Sequence, residues 1–346
     1  MSWTPQSGIY MDAHYNLVYP KGATHLDGVD KETMEVIHDH WGSFPPQHPL
    51  IAHVVGIAFF VLWLINFFGN GSVCYIFLKV KSLRTPSNMF VVNLAFSDLC
   101  MMTTMGLPVI INAFTQRYWM WGAFGKARLK LLLLVLSNFT PFVGCRLYGC
   151  LGAVFGTCSI MSMVVIGYDR YNVIVKGFSG KKISGGMAFG ILSCVWLYSV
   201  LISSAPFIGW GQYMAEGLLI TCTYDFLSPG INERTFILFA YIFNYFFPLI
   251  LIGTFYYSIV KAVVAHEAAL KAQAKKMNVE SLRSAGKDNV ESAEVKIAKV
   301  AITNVLLWFC IWTPYAAVCA LPVFGYQSSL SPLVSQVPSF GGFAFL

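Results

Sequence analysis

Residues 147–171 read LYGCLGAVFGTCSIMSMVVIGYDRY, a long apolar run that ends in two charged residues and a Tyr. Residues 147–168 contain no Asp, Glu, Lys or Arg, and Asp169 and Arg170 follow them directly. A helix that crosses a bilayer needs about 20 mainly apolar residues. An Asp and an Arg at a membrane boundary are costly unless they are paired or functional. The stretch therefore predicts a membrane-spanning helix that ends in a functional pair of charges.

The same arrangement recurs along the chain. Charged residues make up 11% of the 346 residues and hydrophobic residues 56%, with a mean hydropathy of +0.62, whereas a soluble domain carries about 25% charged residues. Four more charge-free stretches and one stretch with a single charge, Asp98, are long enough to cross a bilayer: 50–78, 183–215, 235–260, 300–346 and 85–116. They are too long for strands and do not alternate in polarity. We predict an all-α membrane protein with six complete spans and a partial seventh.

Basic residues predict the orientation. They cluster in the loops after the first, third and fifth spans, which lie on one side of the membrane and should be cytoplasmic. The acidic segment 1–49 should then be extracellular, and it shows no cleaved signal peptide. The net charge of +7 lies largely in those loops and suits anionic lipid. A nucleic-acid partner is not expected, because the basic residues flank spans and alternate with acids.

Two of the nine cysteines differ from the rest. Most lie within spans, where a free Cys behaves as a small apolar residue. Cys145 comes at the outer start of the third span, and Cys222 lies in the loop between spans four and five. Both face the oxidising side of the membrane, so a disulfide is plausible. Two free thiols are the alternative.

These features resemble the rhodopsin-like, class A G-protein-coupled receptors. The residues that carry the resemblance are Asn70, the run NLAFSD at 93–98, Asp169-Arg170-Tyr171, Trp196, Pro248 with Tyr256, and FCIWTPY at 309–315. The runs DRYNVIVKG at 169–177 and QAKKMNV at 273–279 are similar to arthropod visual opsins. The resemblance covers about 46–339. It implies a seven-transmembrane-helix receptor bundle over 50–346, with the third cytoplasmic loop at 262–294.

The resemblance implies a switch at the cytoplasmic side. Arg170 would pair with Asp169 and, across the bundle, with Glu294, and Tyr171 and Tyr256 would complete the G-protein switch. A solvated charge is the alternative for Glu294. The prolines Pro248 and Pro314 remove backbone donors and bend their helices.

A second polar group lies inside the bundle. Asn70 and Asp98 are polar residues in hydrocarbon, so they should face inward and share a water or sodium network. Simple hydrogen bonding between helices is the compatible alternative.

The resemblance also implies a chromophore site. Opsins hold 11-cis retinal through a protonated Schiff base on a Lys in the seventh helix. Invertebrate members place a Tyr at the position of Tyr148, and their counter-ion matches Glu216. Trp312 and Tyr315 would line the retinal pocket. The alternatives are a solvated loop acid for Glu216 and ordinary core packing for Trp312.

The chain departs from the family pattern in two places. No Lys follows Lys299, although the Schiff-base Lys is expected within a few residues of Gly342. Residues 331–346 would form a truncated seventh helix, and 123–140 form an atypical insertion before the third span. We expect gene-model or splicing errors, with a genuine truncated isoform as the alternative. Covalent retinal attachment is not expected in the chain as written.

The sequence thus predicts a light-sensing opsin and not an enzyme, with no metal site. It would activate a heterotrimeric G protein of the q class and bind arrestin, in the plasma or photoreceptor membrane. Three alternatives remain. One is a receptor for a diffusible ligand, and another is a non-photoreceptive, truncated or mis-spliced opsin product. The third is a transporter, although the internal repeats and broken helices of many transporters are not seen.

Overall fold

The computed structural model describes residues 10–11, 17–18, 22–115, 141–180, 182–276 and 293–344. The predicted insertion at 123–140 lies outside the described residues.

Long helices dominate the described part of the chain. A short helix, α1 (Lys31–Met34), precedes them. The bundle is built from α2 (Pro49–Lys79), α3 (Pro86–Thr115), α4 (Pro141–Ile174), α5 (Gly185–Ser203), α6 (Ile231–Ala240), α7 (Phe247–Lys276), α8 (Ala293–Ala320) and α9 (Pro332–Ala344). Within the described ranges, six helices are long and apolar enough to cross a membrane. The predicted six spans are confirmed.

Local sequence signals explain where the helices begin. His48 precedes Pro49, and its ring accepts a hydrogen bond from the Leu50 amide at 3.1 Å. Ser184 caps α5 by accepting a hydrogen bond from the Met187 amide at 3.2 Å. Such caps satisfy amides that have no partner in the first turn, and proline suits that turn because its missing donor is not needed there.

The predicted fourth span, 183–215, is too long. Helix α5 ends at Ser203, a short 3₁₀ turn covers Ala205–Ile208, and Gly209 follows with φ of +95°. Glycine adopts this left-handed conformation without steric penalty, so it ends helical structure. Charge alone could not locate this end, because the chain stays uncharged through the turn and into the next strand.

The fifth span is continuous but irregular. Helix α6 passes through a π-helical segment, Tyr241–Phe246, into α7, which carries Pro248 in its first turn. Proline offers no amide to the helix, and π segments frequently mark functional sites. Helix α7 continues to Lys276, so it extends beyond the apolar stretch 235–260 into the predicted third cytoplasmic loop at 262–294.

A β-hairpin covers one end of the bundle. Strands β1 (Tyr10–Met11) and β2 (Leu17–Val18) pair near the N-terminus. Strands β3 (Tyr213–Glu216) and β4 (Thr221–Tyr224) pair antiparallel, with Glu216 opposite Thr221. We call residues 213–224 the hairpin. The main hydrophobic core joins the N-terminal segment, α4 and the hairpin, through residues such as Trp41, Tyr148 and Leu219.

The N-terminal segment packs on the outside of the hairpin. The Ala215 amide donates to the Val36 carbonyl at 2.6 Å, and Trp41 Nε1 donates to the Ala215 carbonyl at 3.2 Å. His25 Nε2 lies 3.0 Å from the Gly217 carbonyl and is 5% exposed. The hairpin is therefore held between this segment and the helices below.

Helix α9 is the start of the seventh span. Its 13 residues extend about 20 Å at about 1.5 Å per residue, less than the roughly 30 Å of hydrocarbon. Gly217 of the hairpin approaches it so closely that an added Cβ would lie 2.5 Å from the Pro332 carbonyl oxygen. The helix therefore meets the hairpin backbone directly.

Candidate ligand cavity and cytoplasmic switch

A cavity of about 230 Å³ lies inside the bundle, below the hairpin. Helices α3, α4, α6 and α8, the π segment and both hairpin strands contribute to its wall. Its wall is mostly apolar and aromatic, and includes Met101, Met105, Tyr241, Tyr245, Trp308 and Trp312. Cavities of this kind are typical ligand sites, in which a few polar groups fix the orientation of the ligand.

Glu216 is the acidic residue among the described residues of the cavity wall. It is 3% exposed, and its Oε1 atom has no hydrogen-bond partner among the described residues. Burial raises the pKa of the Glu216 carboxyl to about 8, against a smaller lowering by the Tyr315 hydroxyl. The alternative of a solvated loop acid is therefore wrong. A buried carboxyl that faces an apolar cavity and has no partner at Oε1 suits a ligand with a polar or cationic end.

Tyr315 and Tyr148 are close neighbours of Glu216. The Tyr315 hydroxyl donates to Thr223 Oγ1 at 2.9 Å. Tyr148 is 2% exposed, and its hydroxyl donates to the Met105 carbonyl at 3.4 Å. Both tyrosines lie close enough to interact with the charge of Glu216.

Trp312 lies in the wall of the cavity, half-buried on α8. Its ring centre is 6.2 Å from that of Trp308 and 6.2 Å from that of Tyr315. The arrangement forms an aromatic row along one side of the cavity. The Trp312 ring packs against the hydrophobic core and also lines the cavity. Core packing and ligand contact are therefore compatible roles for this residue.

The predicted disulfide is confirmed. Cys145 at the start of α4 bonds to Cys222 in β4, with a Cα–Cα distance of 5.4 Å. The alternative of two free thiols is wrong. The bond ties the strand that follows Glu216 to the helix that carries Tyr148.

Asp98 has its partners inside the bundle. Its Oδ1 accepts a hydrogen bond from Ser159 Oγ at 2.5 Å, and Ser97 Oγ lies 2.9 Å from Ser159 Oγ. Asp98 is 7% exposed. Asn70 is half-buried in α2, and its place in a shared water or sodium network remains a prediction.

The predicted switch residues gather at the opposite end of the bundle. Arg170 forms an ion pair with Asp169, which is 4% exposed and also accepts from Ser87 Oγ at 3.0 Å. Tyr256 is buried on α7 and lies close enough to interact with the charge of Arg170. The Lys176 Nζ atom lies over the face of the Tyr171 ring, 5.4 Å from the ring centre.

The sequence also predicts that Glu294 pairs with Arg170 across the bundle, and the structure does not test this pairing. Glu294 lies in the first turn of α8, but its side chain is outside the described part of the structure. The pairing of Glu294 with Arg170 remains a prediction.

The sequence interpretation missed several wall residues. The Tyr241 hydroxyl donates to the Ala316 carbonyl, and Tyr245 Oη lies 2.6 Å from Thr313 Oγ1. These contacts join the π segment to α8 beside the cavity. The four-residue spacing of the two tyrosines places them on one helix face, which is the signal that could have found them.

Comparisons with known proteins place the chain in a family. A family model described as 7 transmembrane receptor (rhodopsin family) matches residues 69–343. The chain belongs to this family of G-protein-coupled receptors. It is 41% identical to compound eye opsin BCRH2 of Hemigrapsus sanguineus, over 97% of this chain and 84% of the relative. It is 40% identical to Opsin-1 of Manduca sexta, over 96% of this chain and 81% of the relative.

A solved structure agrees with these relatives. The crystal structure of squid rhodopsin matches with a TM-score of 0.75 and 36% identity, over 89% of this chain and 83% of that chain. The predicted fold class and the resemblance to invertebrate opsins are confirmed. The chain is a light-sensing, multi-pass membrane receptor, and its opsin relatives imply retinal as the chromophore.

The described cavity wall suits the apolar body of retinal but offers no group for its covalent attachment. An apolar wall with one buried acid suits an elongated apolar molecule with one polar end. A covalent link needs a lysine, and the described wall contains neither Lys nor Arg. The residues present therefore fit the body of the chromophore and lack its attachment point.

Proposed function

We propose that this opsin binds 11-cis retinal in the cavity without a covalent link and passes the light signal to a heterotrimeric G protein of the q class. The observation that carries the proposal is the unpartnered, buried Oε1 of Glu216 in an aromatic cavity. A buried polar atom without a partner is costly, and a bound ligand can remove that cost.

Different wall residues would contact different parts of retinal. Trp312 and Trp308 would pack against the apolar body, and Glu216 would face the polar end. The hairpin closes the cavity towards the N-terminal segment and excludes water from the Glu216 carboxyl. Retinal supplies light absorption and a change of shape, and Trp312 would be the first side chain to be displaced.

The signalling surface would be the end that carries Arg170. This end is cytoplasmic if basic loops face inward, which leaves the N-terminal segment and the hairpin extracellular. Arg170 presents a rigid fork of donors that suits a carboxylate in the resting state and partner carbonyls in the active state. The same surface would bind arrestin after activation.

The proposal is tested by adding 11-cis retinal to the purified full chain and following the tryptophan fluorescence. We expect saturable quenching, because Trp308 and Trp312 line the cavity. Ala316→Trp, which fills the cavity, should abolish the quenching, whereas Leu197→Trp on the 60% exposed face of α5 should not. Quenching that never saturates, or that survives Ala316→Trp unchanged, would contradict the site.

A second experiment addresses the missing attachment. Borohydride reduction of the complex should trap no retinal on the bundle, because the described cavity wall contains no Lys. Peptide mapping by mass spectrometry reads the result. A stoichiometric adduct within the bundle would show that this part of the proposal is wrong.

A further inference from the structure

Asn172 carries a buried amide group that is unsatisfied in the described part of the chain. The residue lies on α4, three residues beyond Asp169, and is 4% exposed. Neither its Oδ1 nor its Nδ2 atom has a hydrogen-bond partner among the described residues. Most buried polar groups in proteins are hydrogen-bonded, and each exception calls for an explanation. The unused donors and acceptor of Asn172 therefore raise the free energy of the folded receptor in this state.

Helix geometry separates Asn172 from the Arg170 guanidinium. Successive residues of an α-helix are rotated by about 100°, so Arg170 and Asn172 lie on nearly opposite faces of α4. Asp169 and Asn172 are three residues apart and share a face. On that face, Ser87 at the start of α3 donates to Asp169 at 3.0 Å. Asn172 is therefore distinct from the Arg170 switch, although both lie at the same end of the bundle.

The connection between α4 and α5 packs directly on Asn172. Residues Gly177–Ser179 form a 3₁₀ turn, and Gly180 follows it in an extended conformation. We call residues 177–180 the α4–α5 turn. The Gly180 backbone lies so close to α4 that an added Cβ would overlap the Asn172 carbonyl oxygen. The turn therefore has no room to move closer to α4, and it can uncover this end of the helix only by lifting.

We propose that Asn172 is a docking residue for the G protein, to which it presents its amide when the α4–α5 turn lifts away from α4. This role rests on the proposed function, which supplies the cytoplasmic orientation and a heterotrimeric G protein of the q class as the partner. A side-chain amide both donates and accepts, so a peptide backbone group of the partner complements it. Asn172 then exchanges an unsatisfied state for a hydrogen-bonded one, and the free energy released favours the complex.

Stability and binding should respond to a change at Asn172 in different ways. An apolar side chain of similar branched shape removes the unsatisfied atoms from the folded receptor, so it should not destabilise the fold. The same change removes the hydrogen bonds that the amide makes in the complex. A residue that only packs α4 would instead lose stability and binding together.

The test measures the dissociation constant between the purified full chain, in lipid nanodiscs, and a nucleotide-free G protein of the q class. Asn172→Leu should raise this constant about tenfold, the factor that the loss of one hydrogen bond represents, while the midpoint of thermal unfolding stays the same or rises. Asn172→Ser keeps a donor and an acceptor and should recover part of the affinity. Equal constants for Asn172→Leu and the unmodified chain overturn the proposal, and so does a loss of affinity that is accompanied by a fall in the midpoint.

Asn66 provides a matched control on another helix. It is also 4% exposed, and both of its amide atoms lack a partner among the described residues. It lies about midway along α2, within the membrane. Asn66→Leu should affect the unfolding midpoint as Asn172→Leu does and leave the dissociation constant unchanged. An equal loss of affinity in the two variants would show that the effect does not arise at Asn172, which overturns the proposal.

Gly180→Ala tests the movement of the turn. The added Cβ suits the extended backbone of Gly180 but overlaps the Asn172 carbonyl oxygen, so the turn must shift outward. We expect the dissociation constant to fall, and the gain to disappear in the double variant with Asn172→Leu. Gly186→Ala near the start of α5, where an added Cβ meets nothing within 4 Å, should leave binding unchanged. A Gly180→Ala variant that binds no tighter than the unmodified chain, or a gain that persists in the double variant, overturns the proposal.

The outcomes separate the docking role from the proposed function. If the unmodified chain binds the G protein and Asn172→Leu binds it equally well, the docking role fails and the proposed coupling stands. If the unmodified chain does not bind the G protein at all, both fail.

Discussion

Gln336 in the seventh helix and Thr221 in the hairpin are joined by hydrogen bonds across 115 residues of sequence. Gln336 Nε2 donates to Thr221 Oγ1 at 2.9 Å, and Gln336 Oε1 accepts from the Leu218 amide at 3.3 Å. Gln336 is fully buried. The side chain therefore connects the start of the seventh span to the strand that faces Glu216.

Replacing Gln336 should weaken this connection. Gln336→Leu leaves the Leu218 amide and the Thr221 hydroxyl buried without this partner, and we expect a loss of about 1–3 kcal/mol in stability. Thermal unfolding followed by circular dichroism measures the change. Gln327→Leu, in the partly exposed turn before α9, is the control and should shift the midpoint little. Equal midpoints for the two variants would show that the contact contributes nothing.

The disulfide should stabilise the same region. Cys222→Ser opens a loop closed over 77 residues, and we expect the folded receptor to lose about 2–4 kcal/mol. The double variant with Cys145→Ser should be no worse than the single one, since the bond is lost only once. Thermal unfolding and non-reducing peptide mapping provide the readouts. A double variant that is much less stable than the single one would contradict this expected non-additivity.

Acid should destabilise the packing of the N-terminal segment on the hairpin. Burial lowers the pKa of His25, while its hydrogen bond to the Gly217 carbonyl partly opposes the shift. The unfolded chain then takes up a proton below about pH 6.5 while the folded chain does not, so stability falls as the pH drops through that value. His25→Gln keeps a donor and should reduce the fall.

Melting curves of the unmodified chain and His25→Gln at about pH 7.5 and 5.5 test this expectation. At the higher pH both residues are neutral, so the two midpoints provide the control. His40, whose pKa is also lowered by burial, should account for part of the remaining fall. Identical acid shifts in the two proteins would exclude His25 as the cause.

The Asp169–Arg170 pair should restrain the resting receptor. Asp169→Asn releases the Arg170 fork, and we expect basal nucleotide exchange on a co-reconstituted G protein to rise about fivefold, the factor that 1 kcal/mol represents. Arg170→Ala should reduce exchange to background because the fork itself is lost. If basal exchange is unchanged in Asp169→Asn, the Asp169–Arg170 pair does not restrain the resting receptor.

Glu294→Ala tests the second partner predicted for Arg170. Dark exchange should rise while any light response persists, because the substitution frees Arg170 without removing it. A buried pair is a poor argument for stability, so the assay must measure signalling rather than melting. Dark exchange that stays at the level of the unmodified chain would mean that Glu294 is a solvated charge.

The spans could be predicted because hydrophobic length is a local property. The charge-free run at 50–78 corresponds closely to α2 (Pro49–Lys79). The run at 85–116, whose single charge is Asp98, corresponds to α3 (Pro86–Thr115). The run at 183–215 was misleading, because an apolar turn and a strand follow α5 without any charge. Helix α5 already ends at Ser203, ahead of Pro206 in the 3₁₀ turn, and the left-handed backbone at Gly209 then ends that turn.

The class of protein could be predicted from the amino-acid sequence, because spans of bilayer length and motifs such as Asp169-Arg170-Tyr171 are local features. The environment of Glu216 depends instead on long-range packing. From the sequence this residue could be a solvated loop acid or a buried one, because burial depends on what packs above it. Trp41 and His25 hold the hairpin over the cavity, and they are 174 and 192 residues away in sequence from the hairpin residues that they contact. The contacts that remove Glu216 from water are long-range, and no local pattern encodes them.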